Sequence, residues 1–231
     1  MNCDITAIYY TANHVSEFFG ENVRKILLKS IGNIPLISVS QKPMNFGENI
    51  CVGNIGRSAY NIYKQILIGA KAAKTKYISL CEDDILYTPG YFTSFRPEKD
   101  IFAYNYNRWG IYTWSKPPIF SRKDRIVTSQ LIAMRQSVIN ALEKRFDKHP
   151  DPNNFPAKYF GEIGKHDKSL GVSNNITQTF LSPEPNIMFS HEYALGFEGL
   201  GRKKRHGDIR VDSLEPWGKA EDVLKLFVKK T

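Results

Sequence analysis

Three adjacent carboxylates, Glu82, Asp83 and Asp84, stand in YISLCEDDILY at the end of the apolar segment YISLC. Packed side by side they repel, so the cluster is unfavourable unless solvent or a cation bridges it. Oxygen ligands of this kind suit Mg²⁺ or Mn²⁺, with water and substrate phosphates completing the shell. The alternative is a solvated acidic turn capping a helix that starts near Pro89. Further along, His191 and Glu192 follow the apolar run NIMF (186–189), and Gly196, Gly199 and Gly201 precede the basic run Arg202, Lys203, Lys204 and Arg205. Glycines allow a backbone to approach phosphates closely, and the basic run supplies counter-charge. YFGEIGKHDKS (159–169) brings two more carboxylates, Glu162 and Asp167, in a polar setting. The stretch 104–125 interleaves aromatic and basic residues, Arg108 and Trp109 among them, and such stretches stack on sugars or on nucleobases.

The elements that must position these residues alternate in the first half. DITAIYYTA (4–12) is β-branched and aromatic and reads as a strand. Residues 14–32 place Val15, Phe18, Phe19, Val23, Ile26, Leu27 and Ile31 at helical spacing, with Gly32 as a stop. IPLISVS (34–40) is the next strand, 58–75 a helix with Ile62, Ile66, Leu67 and Ala70 on one face, and 76–82 a strand apolar enough to be buried on both faces. The order β-α-β-α-β implies a parallel sheet with right-handed crossovers, and ligands bind at the carboxyl ends of such strands. In the second half, 100–115 has an antiparallel look, 125–136 reads as a strand, 137–149 as a helix, 150–158 as a loop and 222–230 as a short amphipathic helix. The chain reads as one α/β domain over 1–231 with no repeat or linker.

Hydrophobic residues make up 42% of the 231, which excludes a disordered chain. No apolar run approaches the roughly 20 residues that cross a bilayer. The start MNCDITAIYY lacks a basic leader and apolar core, and Cys3, Cys51 and Cys81 lack C-x-x-C spacing; together these predict a cytoplasmic protein with reduced thiols. The net charge of +9 fits a polyanionic partner or a lysine-rich solvated surface.

The segment GNIGRSAYNIYKQILIGAKAAKTKYISLCEDDILY resembles the donor half of GT-A glycosyltransferases, especially the family 2-like group, over about residues 4–95. The matching parts are Gly53-Asn54-Ile55-Gly56 followed by Arg57, Asn61, the helix to Ala73, and Glu82-Asp83-Asp84. The strand ending Thr11-Ala12-Asn13 resembles the nucleotide-contacting start of that fold. The resemblance implies a GT-A, Rossmann-like α/β domain, a donor half at 1–95 and an acceptor half at 96–231, and a nucleotide-sugar donor such as UDP-glucose. It implies Asp84 as metal ligand, Glu82 nearer the ribose with Asp83 between them, and His191 completing a Mn²⁺ or Mg²⁺ site. Thr11, Asn13, Gly56, Arg57, Arg202 and Lys203 would then contact the donor, the last two from a loop that closes over it. Glu162, then Asp167, would serve as general base. One departure stands out: where the family often carries an acidic residue after the second strand to hold uracil, this chain reads Ser40-Gln41-Lys42-Pro43.

Small basic GT-A proteins include enzymes resembling phage and kinetoplastid glucosyltransferases of hydroxymethylated pyrimidines. That resemblance makes DNA the expected acceptor, met by Lys204, Arg205, Arg108 and Trp109, ahead of a surface glycan or lipid-linked saccharide. Two other classes compete. A nucleotidyltransferase would carry a Gly-rich basic loop after the first strand, where TANHVSEFF stands instead. A non-catalytic nucleic-acid-binding module would explain the charge and the aromatics but not the acidic strand end.

Overall fold

The computed structural model describes residues 3–155, 162–192 and 206–228. The first strand, β1 (Ile5–Thr11), is buried at every position. Helix α1 (Glu17–Ile31) starts three residues later than its apolar spacing suggests because Ser16 caps it, its hydroxyl accepting from the Phe19 amide. β2 (Leu36–Ser40) and β3 (Glu48–Cys51) follow, then α2 (Ala59–Ala72), capped by Ser58, and β4 (Tyr77–Glu82). Next come β5 (Ile85–Leu86), α3 (Pro89–Thr93), β6 (Ile101–Asn105), β7 (Arg108–Tyr112) and β8 (Phe120–Arg122). A 3₁₀ turn at Thr128–Gln130 leads into β9 (Leu131–Met134) and α4 (Arg135–Lys148). β10 (Ile176–Phe180), β11 (Asn186–Ser190), β12 (Ile209–Val211) and α5 (Ala220–Leu224) follow.

The main sheet has seven strands in the order β10-β6-β9-β4-β1-β2-β3. Six run the same way; β9 alone is antiparallel to both its neighbours. This is the α/β, Rossmann-like architecture the alternation implies: a central, mostly parallel sheet flanked by helices. The sheet alternates strictly between its faces. Ile8, Tyr10, Ile78 and Leu80 pack under α2 and α4, while Ala7, Tyr9, Tyr77 and Cys81 pack under α1 and α3. Gly69 lets α2 lie close on β1: a Cβ there would stand 2.6 Å from Ile8 Cγ2.

A second sheet, β12-β8-β7-β11-β5, packs against the other end of α1 through Phe19 and Val23. The antiparallel reading of 100–115 holds in part: β6 is antiparallel to β9 and β7 to β8, but each also has a parallel neighbour. β6 and β7 do not pair with each other; β6 belongs to the main sheet and β7 to the second, where it runs parallel to β11 and antiparallel to β8. The strand expected over 125–136 shrinks to β9, because Thr128–Gln130 turn before it. No helix among the described residues is long and apolar enough to cross a membrane.

Candidate active site

The carboxyl ends of β1, β2 and β4 open on one cleft of about 330 Å³, within the range of small-molecule sites, roughly 300–1,000 Å³. β1 delivers Thr11, whose hydroxyl donates to Asp83 Oδ2 and accepts from the Asn13 amide at 2.8 Å. β4 delivers Glu82, Asp83 and Asp84. The Glu82 amide donates to the Tyr87 hydroxyl at 3.0 Å, and that hydroxyl donates to Ser129 O, also at 3.0 Å. The acidic corner is thus tied to the turn before β9.

Burial first, then repulsion from Asp84 and Asp83, pushes Glu82 up to about 8. Burial and the charge of Asp84 push Asp83 up to about 6, against the Thr11 hydrogen bond, which pulls it down. Crowded carboxylates that resist ionising are what a cation would relieve. Asp84 is 8% exposed, and its Oδ1 is buried without a hydrogen-bond partner among the described residues. Its Oδ2 lies 3.5 Å from His191 Nε2. No three acidic, His or Cys side chains among the described residues form a metal cage. Asp84 and His191, side by side, are the residues that could hold a divalent cation, with water and phosphate oxygens filling its remaining positions.

The opposite wall is the start of α2. Gly56, at φ +78°, turns its carbonyl to accept from Gln41 Nε2 at 2.8 Å and Asn61 Nδ2 at 3.2 Å. Arg57 and Ser58 line the cleft beside it. A carbonyl can only accept, so the bond to Gly56 fixes the Gln41 amide with its nitrogen toward the loop. Gln41 escaped the sequence reading except as the place of a missing acid.

Of the two carboxylates considered as base, Glu162 lines the cleft. Asp167 does not: it is fully buried and bound to Arg145 Nη2 at 2.7 Å. Its polar-looking segment folds over this internal pair. Asn13 also lies off this cleft. It lines a neighbouring one, at φ +53°, with its Oδ1 accepting from the amides of Gln41 and Lys42. Trp109 is 8% exposed and packs with Ile111, Phe120 and Ile187, so its indole is not a stacking surface. Arg108 is buried as well. Arg202, Lys203, Lys204 and Arg205 lie outside the described residues. Arg125, Thr128 and Ser129 line the cleft without having been singled out; they arrive from a turn whose approach to the site depends on β9 running backwards.

No protein family and no curated protein matches the chain. Among solved structures it is similar to a glycosyltransferase involved in the glycosylation of the major capsid of PBCV-1, at 11% identity and a TM-score of 0.46, over 78% of this chain and 82% of that one. It is also similar to the bifunctional IspDF of Campylobacter jejuni, at 8% identity and a TM-score of 0.42, over 79% of this chain and 50% of that one.

Proposed function

We propose that the protein is a metal-dependent glycosyltransferase that moves a sugar, glucose from UDP-glucose as the first candidate, to an acceptor hydroxyl. The observation carrying this reading is the convergence, in one cleft at the strand ends, of the Glu82-Asp83-Asp84 corner, His191 and Glu162. Asp84 and His191 would hold Mn²⁺ or Mg²⁺, which when bound neutralises the diphosphate leaving group. Thr11, Gly56 and Arg57 line the side from which a nucleotide would be held. The acceptor oxygen attacks the anomeric carbon, the bond from that carbon to the diphosphate oxygen breaks, and the hydroxyl proton passes to the Glu162 carboxylate.

The acceptor we propose is a hydroxymethylated pyrimidine in DNA. The charge of +9 supports a polyanionic partner, and a base modified inside a duplex is reached by turning it out of the stack. The test is nucleoside mass spectrometry after incubating protein, Mn²⁺ and UDP-glucose with DNA containing 5-hydroxymethyluracil or 5-hydroxymethylcytosine. A hexose adduct on the modified base is the expected result. Transfer to a saccharide or lipid acceptor without any base adduct would overturn the DNA reading while keeping the transferase.

A further inference from the structure

Two arginines are buried among the described residues, and their surroundings are opposite. Arg145 is 1% exposed and has its counter-ion, Asp167, at 2.7 Å. Arg108, the first residue of β7, is 6% exposed and has none: no carboxylate among the described residues lies at ion-pair distance. The polar contact of its guanidinium is Nη1 to Met188 Sδ at 3.1 Å, and a thioether is a weak acceptor. Its Nε is buried with no hydrogen-bond partner among the described residues. Burial, reinforced by the positive charge of Arg125, pulls Arg108 down to about 10, an unusual environment for a guanidinium. A buried charge is costly unless it is paired and hydrogen-bonded, and among the described residues Arg108 has one weak acceptor and no carboxylate at ion-pair distance.

Met188, against which Arg108 rests, lines the cleft, and so does Arg125, an exposed residue with no ion pair among the described residues. Arg108 pairs with Asn186 of β11, two residues before Met188, so its side chain lies on the same face of the second sheet as the Met188 that lines the cleft. Met188 is unbranched and adaptable, and can turn aside to open the Nη1 edge.

We propose that Arg108 and Arg125 together form an anion site on the Met188 wall of the cleft, and that it takes a phosphate oxyanion. A planar guanidinium fork matches two phosphate oxygens, and two cations that repel one another in the free protein are reconciled by a single anion between them. The identity of that phosphate rests on the glycosyltransferase reading. It is either the diphosphate of the donor or a phosphodiester of the nucleic-acid acceptor.

The experiment compares wild type with Arg108→Met and Arg125→Met. Calorimetry reads the binding of inorganic pyrophosphate and UDP, and fluorescence anisotropy reads the binding of a DNA duplex across a salt series. Loss of pyrophosphate and UDP affinity by about tenfold or more, with DNA unaffected, assigns the donor diphosphate. Loss of DNA affinity, with a salt slope shallower by about one, assigns the acceptor phosphodiester. Arg108→Met is also expected to raise the thermal midpoint of the ligand-free protein, since it removes an unpaired buried charge. A folded Arg108→Met variant that binds all three probes as wild type does overturns the proposal. If Arg108→Met does not fold, the exposed Arg125→Met decides on the same criteria. Pyrophosphate binding that depends on Arg108, in a protein that transfers no sugar from any donor, would leave the anion site standing and remove the glycosyltransferase.

Discussion

Asp84 and His191 face each other at 3.5 Å from two different sheets. Asp84 follows β4 of the main sheet, and His191 follows β11 of the second. The two sheets are stitched where they meet: the Phe189 amide donates to Asp84 O at 2.8 Å, and β5, which follows Asp84, pairs with β11. The pair is therefore fixed by the docking of the sheets and not by local sequence.

For this pair the expected outcome is that Mn²⁺ strengthens UDP binding in wild type and that Asp84→Asn abolishes the gain while the protein stays folded. Calorimetric titration of UDP in Mn²⁺ and in EDTA checks it, with circular dichroism as the folding control. Equal affinity in the two buffers for wild type would remove the metal from the site.

Glu162→Gln is expected to cut transfer by about 10²–10⁴-fold, the usual range for losing a general base, with UDP affinity unchanged. Single-turnover rates separate the two. A variant that transfers at the wild-type rate would exclude Glu162 as the base.

Asp167 has a different consequence. Asp167→Ala leaves the buried Arg145 without its carboxylate and should cost about 3–5 kcal/mol of stability, the range for breaking a buried pair. Urea unfolding measures it. A cost below about 1 kcal/mol would mean that the pair at 2.7 Å is not holding the 162–175 segment against α4.

The acidic corner predicts a pH dependence. Glu82 and Asp83 stand near 8 and 6 when folded, above their ordinary values of 4.5 and 3.8. Between about pH 4 and 8 the folded chain holds protons that the unfolded chain releases, so stability falls as pH rises through that window. Their contribution is complete below about pH 4. Thermal midpoints in EDTA from pH 5 to 8.5 should therefore decline, and Glu82→Gln should flatten the upper part of the decline. A cation favours the ionised forms, so Mn²⁺ affinity should climb over the same range.

The sequence made the first half of the chain legible because its elements are long, periodic and bounded. Ser16 and Gly32 bracket α1, and Tyr77–Cys81 is buried on both faces and ends in carboxylates. It could not show β3, a four-residue edge strand with half-exposed faces that leave no alternation, nor β10, which is exposed at four of five positions. Asp167 stood as a second candidate base behind Glu162 because what excludes it is tertiary: the Arg145 that claims it is 22 residues away in the chain. Trp109 read as a stacking surface for the same reason, since its apolar neighbours come from β8 and β11.

The single reversed strand has an electrostatic consequence. Because β9 runs against its neighbours, Met134 ends level with Tyr77, at the edge of the sheet remote from the cleft. α4 then climbs back toward the cleft side, where the Tyr60 hydroxyl in the first turn of α2 donates to Pro150 O at 2.9 Å. α2 and α4 thus lie side by side with opposed macrodipoles: the positive pole of α2 points at the cleft, and the negative pole of α4 stands next to it. The last turn of α4 carries Lys148, a cation placed where it offsets that negative pole; Arg145 in the same turn is paired with Asp167. A helix descending from a parallel strand at the same position would have presented its positive end instead. The backward strand therefore shapes the potential at the rim of the cleft as well as the path of the chain.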